Sequence, residues 1–158
     1  MSYQPIKVEF VNPFLDATCA VFRTMLRTEL RRGALYLRQG GESTHEISGI
    51  IGLSGKAKGT VLLGMRAEFA MAATEALTGE RPNGMTPDVI DAVGELANMI
   101  AGGAKTRLEE LNMSISLPSV IAGKDHTVSF PSGAMPIGIP FESDLGEFSV
   151  EVSLVEVG

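Results

Sequence analysis

The sequence predicts an α+β fold in which long helices pack on a largely antiparallel β-sheet. The helical signal comes from two segments that open alike, at Asn12-Pro13 and at Thr86-Pro87. Each pairs a side-chain oxygen for the cap with a Pro at the first helical position. The sheet signal comes from two apolar hairpins, 45–65 and 136–157. The last strand alternates, with Phe148, Val150, Val152 and Leu154 on one face and Glu147, Ser149, Glu151 and Ser153 on the other. Such a strand requires a covered face, and an apolar helix side can cover it.

The elements follow in order. A first helix runs from Pro13 to about Arg31, with Phe14, Val21 and Met25 on one apolar stripe and Leu15, Phe22, Leu26 and Leu30 on the next. Arg31, Arg32 and Gly33 end it, the cations facing the negative end of the dipole. The cluster of Arg23, Arg27, Arg31, Arg32 and Arg38 is thereby read as a solvated face at that helix end. His45 to Ser54 and Ala57 to Met65 form a hairpin about Ser54-Gly55-Lys56. Arg66 to Leu77 is Ala-rich and makes a short helix, followed by a loop from Gly79 to Gly84. The longest helix spans Pro87 to about Leu111, burying Val89, Val93, Leu96, Ala97, Ile100, Ala104, Leu108 and Leu111. Met113 to Ala122 reads as a strand that Pro118 pushes toward an edge or a bulge. Lys124 to Met135 is loop. Pro136 to Ser143 and Glu147 to Val157 form the second hairpin. Each half of the chain thus has a Pro-started helix and a Gly-spaced hairpin, a weak internal duplication.

Composition bounds the rest. At 158 residues the chain suits one domain, 1–158, large enough to bury a core without disulfide or metal. A single Cys cannot pair within the chain, which points to a reducing, cytoplasmic setting. The net charge of −6 argues against a nucleic-acid partner. No stretch is apolar and long enough for a membrane span, and the N-terminus carries no secretory or myristoylation signal. Leu53-Ser54-Gly55-Lys56 lacks the first Gly and the Ser or Thr of a phosphate-binding loop. His45 and His126 have no metal-ligand spacing and are read as surface or structural residues. Cys19 is read as a small core residue.

One polar pattern stands out. Asp91, Glu95, Asn98 and Gly102 are separated by four, three and four residues, which on a helix brings them within roughly 60° of one another. Gly102-Gly103 inside a helix costs roughly 0.8–1 kcal/mol each against Ala, and close approach of another backbone or a ligand is one reason to keep it. By pattern alone the stripe reads first as a solvated helix face, with Gly103 serving close helix–sheet packing, and a functional face is the lesser reading.

The segment Asp91-Ala-Val-Gly-Glu95-Leu-Ala-Asn98-Met-Ile-Ala-Gly-Gly-Ala-Lys105 resembles the signature helix of the CheC/CheX/FliY family of chemotaxis phosphatases. The opening Val8-Glu-Phe-Val-Asn12-Pro13-Phe-Leu-Asp16-Ala looks like the start of the CheX type. Laying the first helix on the long one puts Asn12 on Asp91, Asp16 on Glu95 and Cys19 on Asn98. The first helix therefore has a carboxylate but no amide, which favours a single-site, CheX-like protein.

The resemblance implies a phosphatase acting on the aspartyl phosphate of a CheY-like response regulator. Asn98 would hold the attacking water and Glu95 would pair with the regulator's lysine. Gly102 would let the partner lie close, and Asp91 would be a supporting contact. The protein would need no cofactor of its own, with Mg²⁺ expected on the regulator. The resemblance also implies a homodimer pairing through sheets. The alternative is a non-catalytic regulator-binding or flagellar-switch module that uses the same helix.

Overall fold

The strand that comes last in the sequence lies in the middle of the sheet. The computed structural model describes residues 4–38, 45–123 and 134–157, with positions 126, 128 and 130. Along them run β1 (Gln4–Pro5), α1 (Val8–Leu26), β2 (Arg31–Arg32), β3 (Tyr36–Leu37), β4 (Ile47–Ser54), β5 (Ala57–Met65) and α2 (Ala67–Thr78). There follow α3 (Pro87–Arg107), a 3₁₀ turn (Glu109–Leu111), β6 (Ser114–Ile115), β7 (Ser119–Ala122), β8 (Ala134–Met135), β9 (Ile137–Ser143) and β10 (Gly146–Glu156). The main sheet runs β2-β9-β10-β5-β4-β6, with β3 also on β9 and β7 also on β4. Its pairings are antiparallel. A separate two-residue parallel pair joins β1 to β8.

That order is symmetric about its centre. β10 faces β5, β9 answers to β4, and the split edge β2/β3 answers to the split edge β6/β7. Each half supplies a helix, a broken edge strand and a hairpin, and lends its edge strand to the hairpin of the other half. The duplication hinted at in the sequence is thus plain in the topology, with α2 as the insertion that interrupts it.

The helices cover one sheet face. Val61, Leu63, Phe148, Val150, Val152, Ile139 and Phe141 point into them and belong to one buried core with Phe14, Phe22, Phe69, Val93, Leu96 and Ile100. Phe22 stacks on Phe148 at 4.5 Å, Phe148 on Phe141 at 5.1 Å, and Phe69 meets Phe148 at 5.0 Å, so α1, α2 and the sheet share one aromatic cluster. Each such pair contributes about 0.5–1.5 kcal/mol beyond its buried area.

Several expectations need correction. The first helix starts at Val8, not at Asn12-Pro13, so Pro13 lies inside it. Phe10 and Val11 are buried by the earlier start, which outweighs the one hydrogen bond that Pro cannot donate. The helix also stops at Leu26 rather than Arg31, because Arg27 turns left-handed at φ 53 and donates its N–H to Phe22. Arg31 and Arg32 are then strand residues opposite Glu142 and Phe141. The arginines do not form one helix-end face, and the Arg38 side chain is only 7% exposed. Met113–Ala122 is two short strands on β4, interrupted around Pro118. Of the expected loop 124–135, most positions lie outside the described residues, while Ala134–Met135 forms β8.

The polar side of β10 is buried as well. Ser149, Glu151 and Ser153 are each nearly inaccessible. Tyr36 donates to Glu151 at 3.1 Å, Arg38 pairs with the same carboxylate at 3.6 Å, and Ser149 meets His45 Nε2 at 3.1 Å. Two glycines leave room for this: a Cβ at Gly138 would collide with the Tyr36 ring, and one at Gly64 with His45. His126 is structural too, its Nε2 at 2.9 Å from the Ser48 hydroxyl and its Nδ1 at 2.7 Å from the Gly123 carbonyl.

Candidate active site

Helix α3 begins where the sequence indicates. Thr86 is the cap position and Pro87 the first helical residue, although the Thr86 hydroxyl makes no capping bond. Asp88 lies in the first turn and Lys105 and Arg107 in the last, matching the helix dipole at both ends. Val89, Val93, Leu96, Ala97, Ile100 and Ala104 are fully buried and press the helix onto the sheet. The fit over β4 is close: a Cβ at Gly49 would sit 3.0 Å from that of Ala97.

The opposite side of α3 carries the polar stripe. Asp91 and Glu95 are exposed, and Asn98 and Gly102 are half-buried. Among the described residues no side-chain hydrogen bond or ion pair holds Asp91, Glu95 or Asn98, in contrast to Arg107, whose guanidinium bonds the Gly103 carbonyl at 3.0 Å. The two adjacent glycines differ. A Cβ at Gly103 would lie 3.1 Å from Ala17 of α1, whereas one at Gly102 would meet nothing within 4 Å. Gly103 serves helix–helix packing, and Gly102 leaves open backbone beside Asn98. On its other flank α3 meets the edge of the sheet, where the Gly94 position lies 3.3 Å from Val120 and 3.6 Å from Pro118.

The stripe is a helix surface rather than a cavity, which fits a macromolecular partner better than a small molecule. A cavity of about 620 Å³ does form, but across the sheet, among Tyr36, Arg38, His45, Arg66, Ser149 and Glu151. Its electrostatics are those of a buried polar cluster. Burial pushes His45 down to about 4, helped by His126 and Arg38. Burial and then Glu151 push Tyr36 up to about 12. Burial raises the Glu151 carboxyl, with Arg38 pulling against it. Sequence reading missed this cluster, although Glu151 in a buried strand and the facing Gly64 and Gly138 are its traces. Among the described residues no group of three or more His, Cys, Asp or Glu could hold a metal ion.

Residues 47–142 match the family described as chemotaxis phosphatase CheX. The chain belongs to the CheX family. A CheX-family relative, the CheY-P phosphatase CheX of Thermotoga maritima, is 28% identical over 118 residues, covering 73% of this chain and 76% of that protein. The solved structure of the chemotaxis protein CheX from Vibrio vulnificus superposes with a TM-score of 0.86 at 33% identity, covering 94% of this chain and all of that one. The CheX of a CheX–CheY–BeF₃–Mg²⁺ complex from Borrelia burgdorferi superposes with a TM-score of 0.81 at 27% identity, over 95% of this chain and 100% of that one. The α+β fold with helices on an antiparallel sheet is therefore the CheX fold, and the enzyme class is that of a protein phosphatase. No helix among the described residues is long and apolar enough to cross a membrane.

Proposed function

We propose that this chain, acting as one CheX-like domain over residues 1–158, hydrolyses the aspartyl phosphate of a CheY-like response regulator in the cytoplasm. The observation that carries the reading is the polar stripe of α3: Glu95 exposed, Asn98 half-buried, neither side chain with a partner among the described residues, and bare backbone at Gly102. The solved Borrelia CheX complex, with CheY, BeF₃ and Mg²⁺, supports the class of partner.

The chemistry asks little of this protein beyond placement. Mg²⁺ and a lysine on the regulator neutralise the phosphoryl oxygens, and a water must be held in line with phosphorus. The Asn98 carbonyl oxygen accepts a hydrogen bond from that water, while its NH₂ remains free to donate nearby. Attack releases inorganic phosphate and regenerates the regulator's carboxylate. Since an amide does not titrate near neutrality, Asn98 positions the water rather than removing its proton. Glu95, one turn earlier, pairs with the regulator's lysine and sets the register that brings Asn98 to the phosphate. Asp91 makes a supporting contact, and Gly102 lets the partner backbone lie close.

A homodimer belongs to the same reading, supported by the family resemblance and by the short strands at both sheet edges.

Phosphate release from a phosphorylated regulator tests the reading. Asn98→Ala should lower kcat by about 10²–10³-fold with regulator affinity little changed. Glu95→Ala should chiefly raise KM, because truncating one member of an interfacial charge pair typically costs ~2–5 kcal/mol. Both residues face outward, so melting temperatures should hold. Regulator binding without phosphate release by the parent protein would leave a non-catalytic binding module instead. Light scattering on the same samples checks the dimer, which a monomer mass at micromolar protein removes.

A further inference from the structure

The flank of α3 that meets the sheet edge carries an apolar feature that the catalytic stripe does not explain. Leu117 is 88% exposed, more than any other large apolar side chain among the described residues. Its backbone is nevertheless pinned. Ser116 bonds Gly52 twice, donating its own N–H at 2.9 Å and accepting the Gly52 N–H on its hydroxyl at 2.8 Å. That hydroxyl also donates to the Leu117 carbonyl at 2.9 Å. Pro118 follows, which restricts Leu117 to extended conformations. The outcome is a leucine held out into solvent on a fixed hump between β6 and β7.

The hump stands beside Asn98. Pro118 lies 3.6–3.7 Å from the Cβ position of Gly94. Gly94 and Asn98 are i and i+4 on α3, about 6 Å apart. Adding one Cα step to Leu117 places it within roughly 15 Å of Asn98. A standard protein–protein interface covers about 800 Å² per partner, a disc of radius roughly 16 Å. A regulator centred on Asn98 therefore covers the hump. Ile90, on the same stripe as Gly94 and Asn98 and 36% exposed, extends the apolar area toward the start of the helix.

We propose that Leu117 is a docking anchor for the phosphorylated CheY-like response regulator, seated in an apolar patch next to the regulator's phosphorylation pocket. This rests on the reading of α3 as the regulator-docking helix and adds a contact outside the catalytic stripe. The polar stripe orients the chemistry, and the anchor adds affinity through apolar burial at small ordering cost, because the backbone that presents it is already fixed.

The test uses the full chain and the regulator of the same genome that it dephosphorylates fastest, with the regulator–beryllofluoride–Mg²⁺ complex as the probe for binding. Leu117→Ala should raise Kd and KM together by about tenfold, and Leu117→Glu by more, with unchanged melting temperatures. Leu37→Ala removes a half-exposed leucine at the far edge of the sheet and should leave Kd as in the parent. If both Leu117 variants bind as tightly as the parent while Asn98→Ala loses turnover, the anchor is wrong and the catalytic reading stands. If the Leu117 variants weaken binding while Asn98→Ala turns over normally, the anchor stands and the catalytic reading falls. If Leu117→Glu alters the mass by light scattering and leaves regulator affinity intact, Leu117 serves a second copy of the chain and the proposal is overturned.

Discussion

Helices α1 and α3 occupy matching places in the two halves and present the same outward profile. Asn12 and Asp16 on α1 are exposed and Cys19 is half-buried, as Asp91, Glu95 and Asn98 are on α3. Both carry a carboxylate at the middle position. The difference is the third side chain. Partial burial, and then Asp16, raise the Cys19 thiol above its ordinary value, so it stays a weak donor with little thiolate character. Asn98 offers both an acceptor and a donor at the same exposure. The topology repeats the platform, and in the proposed reading the third side chain decides which helix orients a water.

The comparison can be broken from either side. Giving α3 the side chain of α1, by Asn98→Cys, should lower phosphatase turnover by about 10²–10³-fold, ~3–4 kcal/mol on the barrier, in steady-state kinetics. Turnover near the parent value would mean the third position does not decide. The two glycines of α3 sharpen the structural side. Gly103→Leu forces a side chain against Ala17, and overpacking of this kind costs typically ~1–3 kcal/mol, read as a lower thermal midpoint. Gly102→Ala enters open space and should raise stability by about 0.8 kcal/mol through helix propensity, while increasing KM if the partner lies on that backbone. The smallest effect belongs to α1. Cys19→Ser should keep turnover within about twofold, ~0.4 kcal/mol, and a large loss in a folded variant would move the site to the other helix.

Much of this was legible in sequence, for local reasons. The start of α3 could be read because Pro87 sits at the first helical position and Gly84, at φ 145, keeps the helix from extending further back. The same signal at Asn12-Pro13 misled, because Phe10 and Val11 gain more from burial than Pro13 loses. The α3 stripe was legible from spacing as one helix face, but its reading as a site came from the family resemblance, since the same spacing also fits a solvated face. Arg31 and Arg32 were not, since their strand partners Glu142 and Phe141 lie more than about a hundred residues away and no local pattern encodes such a pairing. The hump at Leu117 stayed hidden for a related reason: its place beside the helix depends on the contact of Pro118 with Gly94. The alternation of β10 was visible, but its burial on both faces depends on Tyr36, Arg38 and His45 arriving from another part of the chain.

The central position of β10 governs how the protein comes into being on the ribosome. Phe22 of α1 stacks on Phe148 of β10, and β5 finds one of its two neighbours only in that strand. At roughly 5–20 residues per second of synthesis, α1 waits on the order of ten seconds for its partner, with an apolar face and an open strand flank uncovered. During that interval the nascent chain offers chaperones a target, and at its end a newly made β10 can pair with the open flank of β5 in a neighbouring chain.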